Sequence, residues 1–169
     1  MDQELVERAR TLLDLCRTKG LTIAAAESCT GGLLAATLTE IAGSSDVFER
    51  GFVTYSNEAK QAMVGVTSAT LASHGAVSRE TAEAMASGTL AHAPVDLAVS
   101  ITGIAGPGGA VPGKPVGLVH FAAASRAGRL IARERNYGEI GRKQVRRASV
   151  IEALAMLHDL ATTEAASSG

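Results

Sequence analysis

The sequence predicts an α/β protein: a single three-layer α/β/α domain on a mixed, mostly parallel sheet of about five strands that includes a C-terminal β-hairpin. Three observations lead there. Short apolar runs of strand length alternate with longer segments of helical period, in the order helix, strand, helix, strand, helices, strand, hairpin, helix. No internal repeat and no long linker interrupts that order. A chain of 169 residues is long enough for one domain to bury about two-thirds of its unfolded surface by the usual size scaling. The domain is expected to span residues 1 to 162, leaving 163 to 169 as a disordered, frayed polar tail.

Leu5, Val6, Ala9, Leu12, Leu13 and Cys16 recur at helical spacing and Gly20 stops them, so residues 2 to 19 read as an amphipathic helix. Leu21 to Ala26 follow as a short buried strand, although its alanines are poor strand formers. Thr30 to Ile41 read as a helix entered through Gly31 and Gly32 and closed near Gly43. Arg50 to Tyr55 form the second strand, and Ser56 is placed to cap a helix from Asn57 to Val64 that carries Lys60 in its first turn. Thr67 to Ser73 make a short helix stopped by Gly75. Ser78 caps a longer one in which Ala82, Met85, Ala86 and Leu90 share a face. Asp96 to Thr102 are apolar enough for a central strand and run into a glycine loop, 103 to 109. Val116 to Ser125 and Arg129 to Tyr137 are joined by Arg126-Ala127-Gly128 and read as an antiparallel hairpin. Gly141 opens a last helix to about Ala161. It is apolar on more than one face through Val150, Ile151, Leu154, Met156, Leu157 and Leu160, so it is either central or partly used in self-association, and a homo-oligomer, dimer or higher, is expected.

Composition narrows the function classes. Cys16 and Cys29 have no paired spacing that suggests a disulfide framework, which points to a reducing, cytoplasmic setting. His74, His92, His120 and His158 lack metal-ligand spacing, so neither metal nor cofactor is expected. Acidic Asp2, Glu4 and Glu7 argue against a secretory or transit segment. No apolar run reaches the roughly eighteen residues of a membrane span. Eight of the sixteen basic residues lie between Arg126 and Arg147, against Glu134 and Glu139 alone. That excess calls for an anionic partner or a salt-bridged face. Nucleic acid is not the expected partner, because three Phe, two Tyr and no Trp leave little on which bases could stack.

In open α/β sheets ligands collect beyond the carboxyl ends of parallel strands. Three such ends carry reactive groups here: Ser28 after the first, Tyr55 to Lys60 after the second, and Thr102 with the glycine loop after the third. Parallel strands would bring them together. A serine hydroxyl needs a base at neutral pH, and a lysine serves if desolvation or a cationic neighbour lowers its pKa. Gly31 and Gly32 would keep amides free near Ser28 for a tetrahedral oxyanion. Each residue also has a plainer reading: Ser28 as a helix cap, Lys60 as a solvated helix lysine, Cys29 as a small buried side chain.

Ala-Glu-Ser-Cys-Thr-Gly-Gly at 26 to 32, Tyr-Ser-Asn-x-x-Lys at 55 to 60 and Thr-Gly-Ile-Ala-Gly-Pro-Gly-Gly at 102 to 109 resemble, in order and spacing, the three signature segments of the CinA C-terminal domain family. The resemblance extends from about residue 5 to 160. It implies a cytoplasmic amidohydrolase that converts nicotinamide mononucleotide to nicotinate mononucleotide and ammonia without a metal. By similarity Ser28 would form an acyl-enzyme, Lys60 would carry the proton, and Tyr55 would orient these catalytic groups. Thr30, Gly31, Gly32, Thr102, Gly103, Gly106 and Arg142 would bind substrate. The family's last helix opens with Gly-Asp-Arg, whereas this chain reads Ile140-Gly141-Arg142, keeping the arginine without the acid. Longer members carry a further N-terminal domain resembling molybdopterin-binding proteins, whose activity is not expected here.

Overall fold

The computed structural model describes residues 1–166. Helix α1 (Gln3–Lys19) is capped at both ends, by the Asp2 carboxylate on the amides of Glu4 and Leu5 and by a left-handed Gly20. Then come β1 (Ile23–Glu27), α2 (Leu33–Thr39), a single 3-10 turn (Ser44–Asp46) and β2 (Phe48–Val53). Three helices follow, α3 (Asn57–Val64), α4 (Ser68–His74) and α5 (Arg79–His92). The chain closes with β3 (Leu97–Gly103), β4 (Leu118–Ser125), β5 (Leu130–Asn136) and α6 (Arg142–Thr163).

The sheet order is β2-β1-β3-β4-β5. Strand β1 pairs in parallel with both β2 and β3, while β4 is antiparallel to β3 and to β5. Four of the five strands therefore point the same way, with β4 alone reversed, and the sheet is mixed but mostly parallel as expected. Because β5 runs with β1, it ends on the edge where β1, β2 and β3 end, and it delivers the start of α6 there.

Helices α1, α2 and α6 cover one face of the sheet; α5, with α3 and α4 packed on it, covers the other. The first layer meets large side chains, among them Ile23, Leu97, Val99, Ile101, Val119 and Phe121. The second meets Ala24, Ala26, Ala122 and Ala124, opposed by Ala82, Met85 and Ala86 of α5. Small residues on both sides let α5 lie close to the strands, so that Ser100 Oγ donates to the Ala82 carbonyl at 2.6 Å. This close approach is why β1 is built from alanines. Its strand state comes from pairing on both edges and complete burial, which override weak propensity.

Several boundaries differ from the sequence reading by one to three residues, and three differences have an identifiable cause. Strand β2 starts and ends two residues early, because the Val47 carbonyl already receives the Ile23 amide at 2.8 Å, and Tyr55 therefore stands beyond the strand. Helix α2 starts at Leu33 rather than Thr30, since residues 28 to 32 form a turn with Gly31 and Gly32 at positive φ. Helix α6 continues to Thr163, and Lys19 Nζ donates to the carbonyls of Ala161, Thr162 and Glu164, so the expected tail begins inside the helix; residues 167–169 lie outside the described part. The apolar breadth of α6 is consumed within the chain, with Val150, Leu154, Met156, Leu157 and Leu160 all buried between α1 and the sheet. It is a central helix, and its breadth no longer argues for self-association. No described helix is long and apolar enough to cross a membrane.

Candidate active site

A cavity of about 300 Å³ opens at the shared carboxyl edge of β1, β2 and β3. Ser28, Cys29, Tyr55, Lys60, Thr102 and Arg142 line it, together with the loop Gly103 to Gly109. Ser28 follows β1 directly, and its amide continues the sheet ladder by donating to Ile101 at 2.9 Å. Lys60 arrives from α3, started by the Ser56 hydroxyl on the Ala59 amide. Its ammonium nitrogen donates to Ser28 Oγ at 3.0 Å and to the Thr54 carbonyl at 2.8 Å.

Lys60 is only 1% exposed. Desolvation holds its pKa below the ordinary lysine value, and it forms no ion pair among the described residues. The lowering therefore comes from burial alone, not from a cationic neighbour. Burial acts in the opposite sense on the thiol beside Ser28, pushing Cys29 up to about 11, so Cys29 stays a protonated packing side chain. Cys16 is likewise free and buried.

The other predicted residues divide into two groups. Thr102 lines the cavity with its hydroxyl donated to the Ala76 carbonyl at 2.8 Å, a contact that ties β3 to the loop before α5. Arg142 crosses the mouth, donating to Tyr55 Oη at 2.9 Å and to the Gly106 carbonyl at 3.0 Å. Gly106 is obligatory there: its φ is +85° and a Cβ would lie 2.6 Å from Val116 Cγ1. Thr30, Gly31 and Gly32 are not among the lining residues. The Thr30 hydroxyl donates to Glu27 at 2.7 Å, and the Gly31 amide donates to the Ser28 carbonyl at 3.0 Å, so it is not free as the glycines suggested. The amides of Cys29, Thr30 and Gly32 have no partner in another residue among those described.

Sequence reasoning passed over two groups. Glu27 is 1% exposed, and its carboxylate accepts the Leu34 and Ala35 amides as well as the Thr30 hydroxyl. The Leu34 and Ala35 amides at the start of α2 are therefore satisfied by the chain itself. Its signal was an acid immediately before a glycine-opened helix. Arg146, one turn after Arg142, donates to the Cys29 and Thr30 carbonyls at 3.2 and 2.9 Å. Its signal was the four-residue spacing on α6. Half of the remaining basic excess is a salt-bridged face: Arg133 pairs with Glu152 and Asp159, Arg135 with Glu152, and Arg147 with Asp2 and Glu4.

The CinA C-terminal domain family model matches residues 6–161. The chain belongs to this family. It is 49% identical over 156 residues to nicotinamide-nucleotide amidohydrolase PncC of Escherichia coli (strain K12), covering 92% of this chain and 94% of that protein. A crystal structure of competence/damage inducible protein CihA from Agrobacterium tumefaciens superposes with a TM-score of 0.93 at 51% identity, covering 95% of this chain and 97% of that one. A CinA-like protein of Chloroherpeton thalassium is 58% identical over 68% of this chain but 27% of its own length, so that member of the family carries much additional sequence. Gly141, directly before Arg142, has a φ of +100°, a conformation that side chains disfavour. Arg142 is held by Tyr55 Oη and the Gly106 carbonyl.

Proposed function

We propose that this protein hydrolyses the carboxamide of nicotinamide mononucleotide to nicotinate mononucleotide and ammonia, with Ser28 as nucleophile and Lys60 as proton carrier. The class of enzyme follows from kinship: at such identity over nearly its whole length, the chain is an amidohydrolase. The observation that carries the mechanism is the buried 3.0 Å contact between Lys60 Nζ and Ser28 Oγ.

A neutral lysine amine has two N–H bonds and one lone pair. With one N–H on the Thr54 carbonyl, the lone pair is free to face the Ser28 hydroxyl. Ser28 Oγ attacks the amide carbon as Lys60 takes its proton, forming a tetrahedral oxyanion for the unpartnered amide of Cys29, the residue of the turn that lines the cavity beside Ser28. Collapse breaks the C–N bond, the Lys60 ammonium returns the proton to the leaving nitrogen, and ammonia departs. Water then attacks the acyl-enzyme through the same base, giving the carboxylate and restoring Ser28. The substrate ring is a pyridinium cation, which disfavours the ammonium form of Lys60 and so supports the same proton transfer. Arg142 at the mouth, on the first turn of α6, supplies a guanidinium for the 5′-phosphate. Residence in the cytoplasm belongs to this proposal and is supported by two free, buried thiols.

The test is incubation of the purified protein with nicotinamide mononucleotide and a chelator, following ammonia and nicotinate mononucleotide together. Equimolar products are expected, and Ser28→Ala and Lys60→Ala should each lower kcat by about a thousandfold or more. Undiminished turnover by either variant would exclude the dyad. Tight binding of the mononucleotide without product would mean a binding module instead.

A further inference from the structure

We propose that Arg146 is a positioning residue that aims the amide donors of the Ser28 turn, an inference that rests on the amidohydrolase reading above. Arg146 does not line the cavity, whereas Arg142, one turn earlier on the same face of α6, does. Its guanidinium reaches instead the carbonyls of two successive peptide units, Cys29 at 3.2 Å and Thr30 at 2.9 Å.

A trans peptide is planar, with its C=O and N–H pointing in opposite directions. Pulling the Thr30 carbonyl toward Arg146 therefore turns the Gly31 amide back onto Ser28, where it donates to the carbonyl at 3.0 Å, and the Ser28 peptide, so held, directs the Cys29 amide the opposite way. Thr30 is held a second time from the other side, by its hydroxyl on Glu27. One cation and one carboxylate thus fix the fully buried Thr30 and, through the Gly31 bond to Ser28, the amide of Cys29, which lines the cavity and has no partner in another residue among those described. Unlike Arg133, Arg135 and Arg147, Arg146 has no carboxylate within ion-pair distance among those residues, so its charge falls on the two carbonyls. Polarising a carbonyl strengthens the N–H of the same peptide as a donor. Arg146 accordingly sets both the direction and the strength of an oxyanion donor without touching substrate.

The test has two readouts, steady-state hydrolysis of nicotinamide mononucleotide and the rate at which a fluorophosphonate labels Ser28, followed by intact mass. In labelling, Ser28 Oγ displaces fluoride at phosphorus, so this readout depends on the turn and not on the natural substrate. Arg146→Gln should lower kcat and the labelling rate by about tenfold or more with KM changed less than about threefold, and Arg146→Lys should recover part of both. A raised KM at unchanged kcat would make Arg146 a substrate contact and overturn the proposal. So would unchanged kcat and labelling, even with a lowered melting temperature. If Arg146→Gln does not fold by circular dichroism, Arg146→Lys decides alone: a kcat loss of about threefold or more at constant KM supports the proposal, and wild-type kinetics overturn it. Wild-type labelling that depends on Arg146, without mononucleotide hydrolysis, would remove the functional reading and leave the positioning role standing. A Ser28 inert to the probe in wild type would remove the positioning role.

Discussion

At the scale of single residues, Lys60 carries the sharpest expectation, because one physical effect governs both its chemistry and its cost. Desolvation holds its pKa below the ordinary value near 10.5. The acid limb of kcat/KM should therefore rise with pH through a midpoint below that value, as the free amine forms. Stability follows the same proton. Below the folded-state pKa both states hold it and the native state bears the full desolvation penalty. Between the folded and unfolded values the unfolded chain binds more protons, so stability rises with pH, and above the ordinary value the penalty is gone. Melting temperatures of wild type and Lys60→Met from about pH 6 to about pH 10 should converge or cross in favour of wild type as pH rises; parallel curves would contradict the desolvation. The meeting of Ser28 and Lys60 was legible in the sequence because residue type and motif order pointed to it. Glu27 and Arg146 were not, because each acts on backbone groups that only the folded turn presents: Glu27 on amides seven and eight residues away, Arg146 on carbonyls more than a hundred residues away.

Among the elements, α2 depends on a carboxylate that no surface argument explains. In Glu27→Gln one acceptor oxygen becomes an NH₂ group facing a helix donor, so at least one buried partner is left unmet. The expected loss is about 1 to 3 kcal/mol, or roughly 2 to 10 °C in melting temperature for a chain of this size. Contact between α3 and α5 is equally exacting. A Cβ on Gly88 of α5 would stand 1.8 Å from the Val64 carbonyl oxygen at the end of α3. Gly88→Ala must therefore displace the helix that bears Lys60, costing about 1 to 3 kcal/mol and lowering kcat as the dyad contact lengthens; calorimetry with kinetics on one preparation checks both. The helices and the hairpin were visible in the sequence through apolar periodicity and caps such as Ser56 and Ser78. The start of β2 was not, since it is set by a ladder bond from Val47 to β1, and neighbouring strands are invisible to a local pattern.

The whole molecule places its candidate reactive groups at one end of the sheet and purely structural contacts at the other. Ser28, Lys60, the glycine loop and Arg142 stand at the carboxyl edge of the parallel strands. At the opposite edge Lys19 closes the last turn of α6, and Asp96 receives the amide and hydroxyl of Thr22. Lys19→Met should thus lower the melting temperature by a few degrees, about 1 to 2 kcal/mol, while kcat/KM stays at the wild-type value. A loss of activity in that variant would mean that the two ends communicate.

The reversal of β4 has a consequence for how the chain tolerates changes in length. The connection from β4 to β5 lies at the structural edge, where Ser125 stands opposite Leu97, the first residue of β3. Residues added around Ala127 would lengthen a solvent loop and leave every reactive group in place. The connection from β5 to α6 lies at the reactive edge, and a Cβ on Gly117 would already stand 2.3 Å from the Gly138 backbone. Residues added there would shift Arg142 and Arg146 together, by a fixed increment and in a fixed direction. Drift in length among descendants of this sequence should therefore gather in the first connection and be purged from the second.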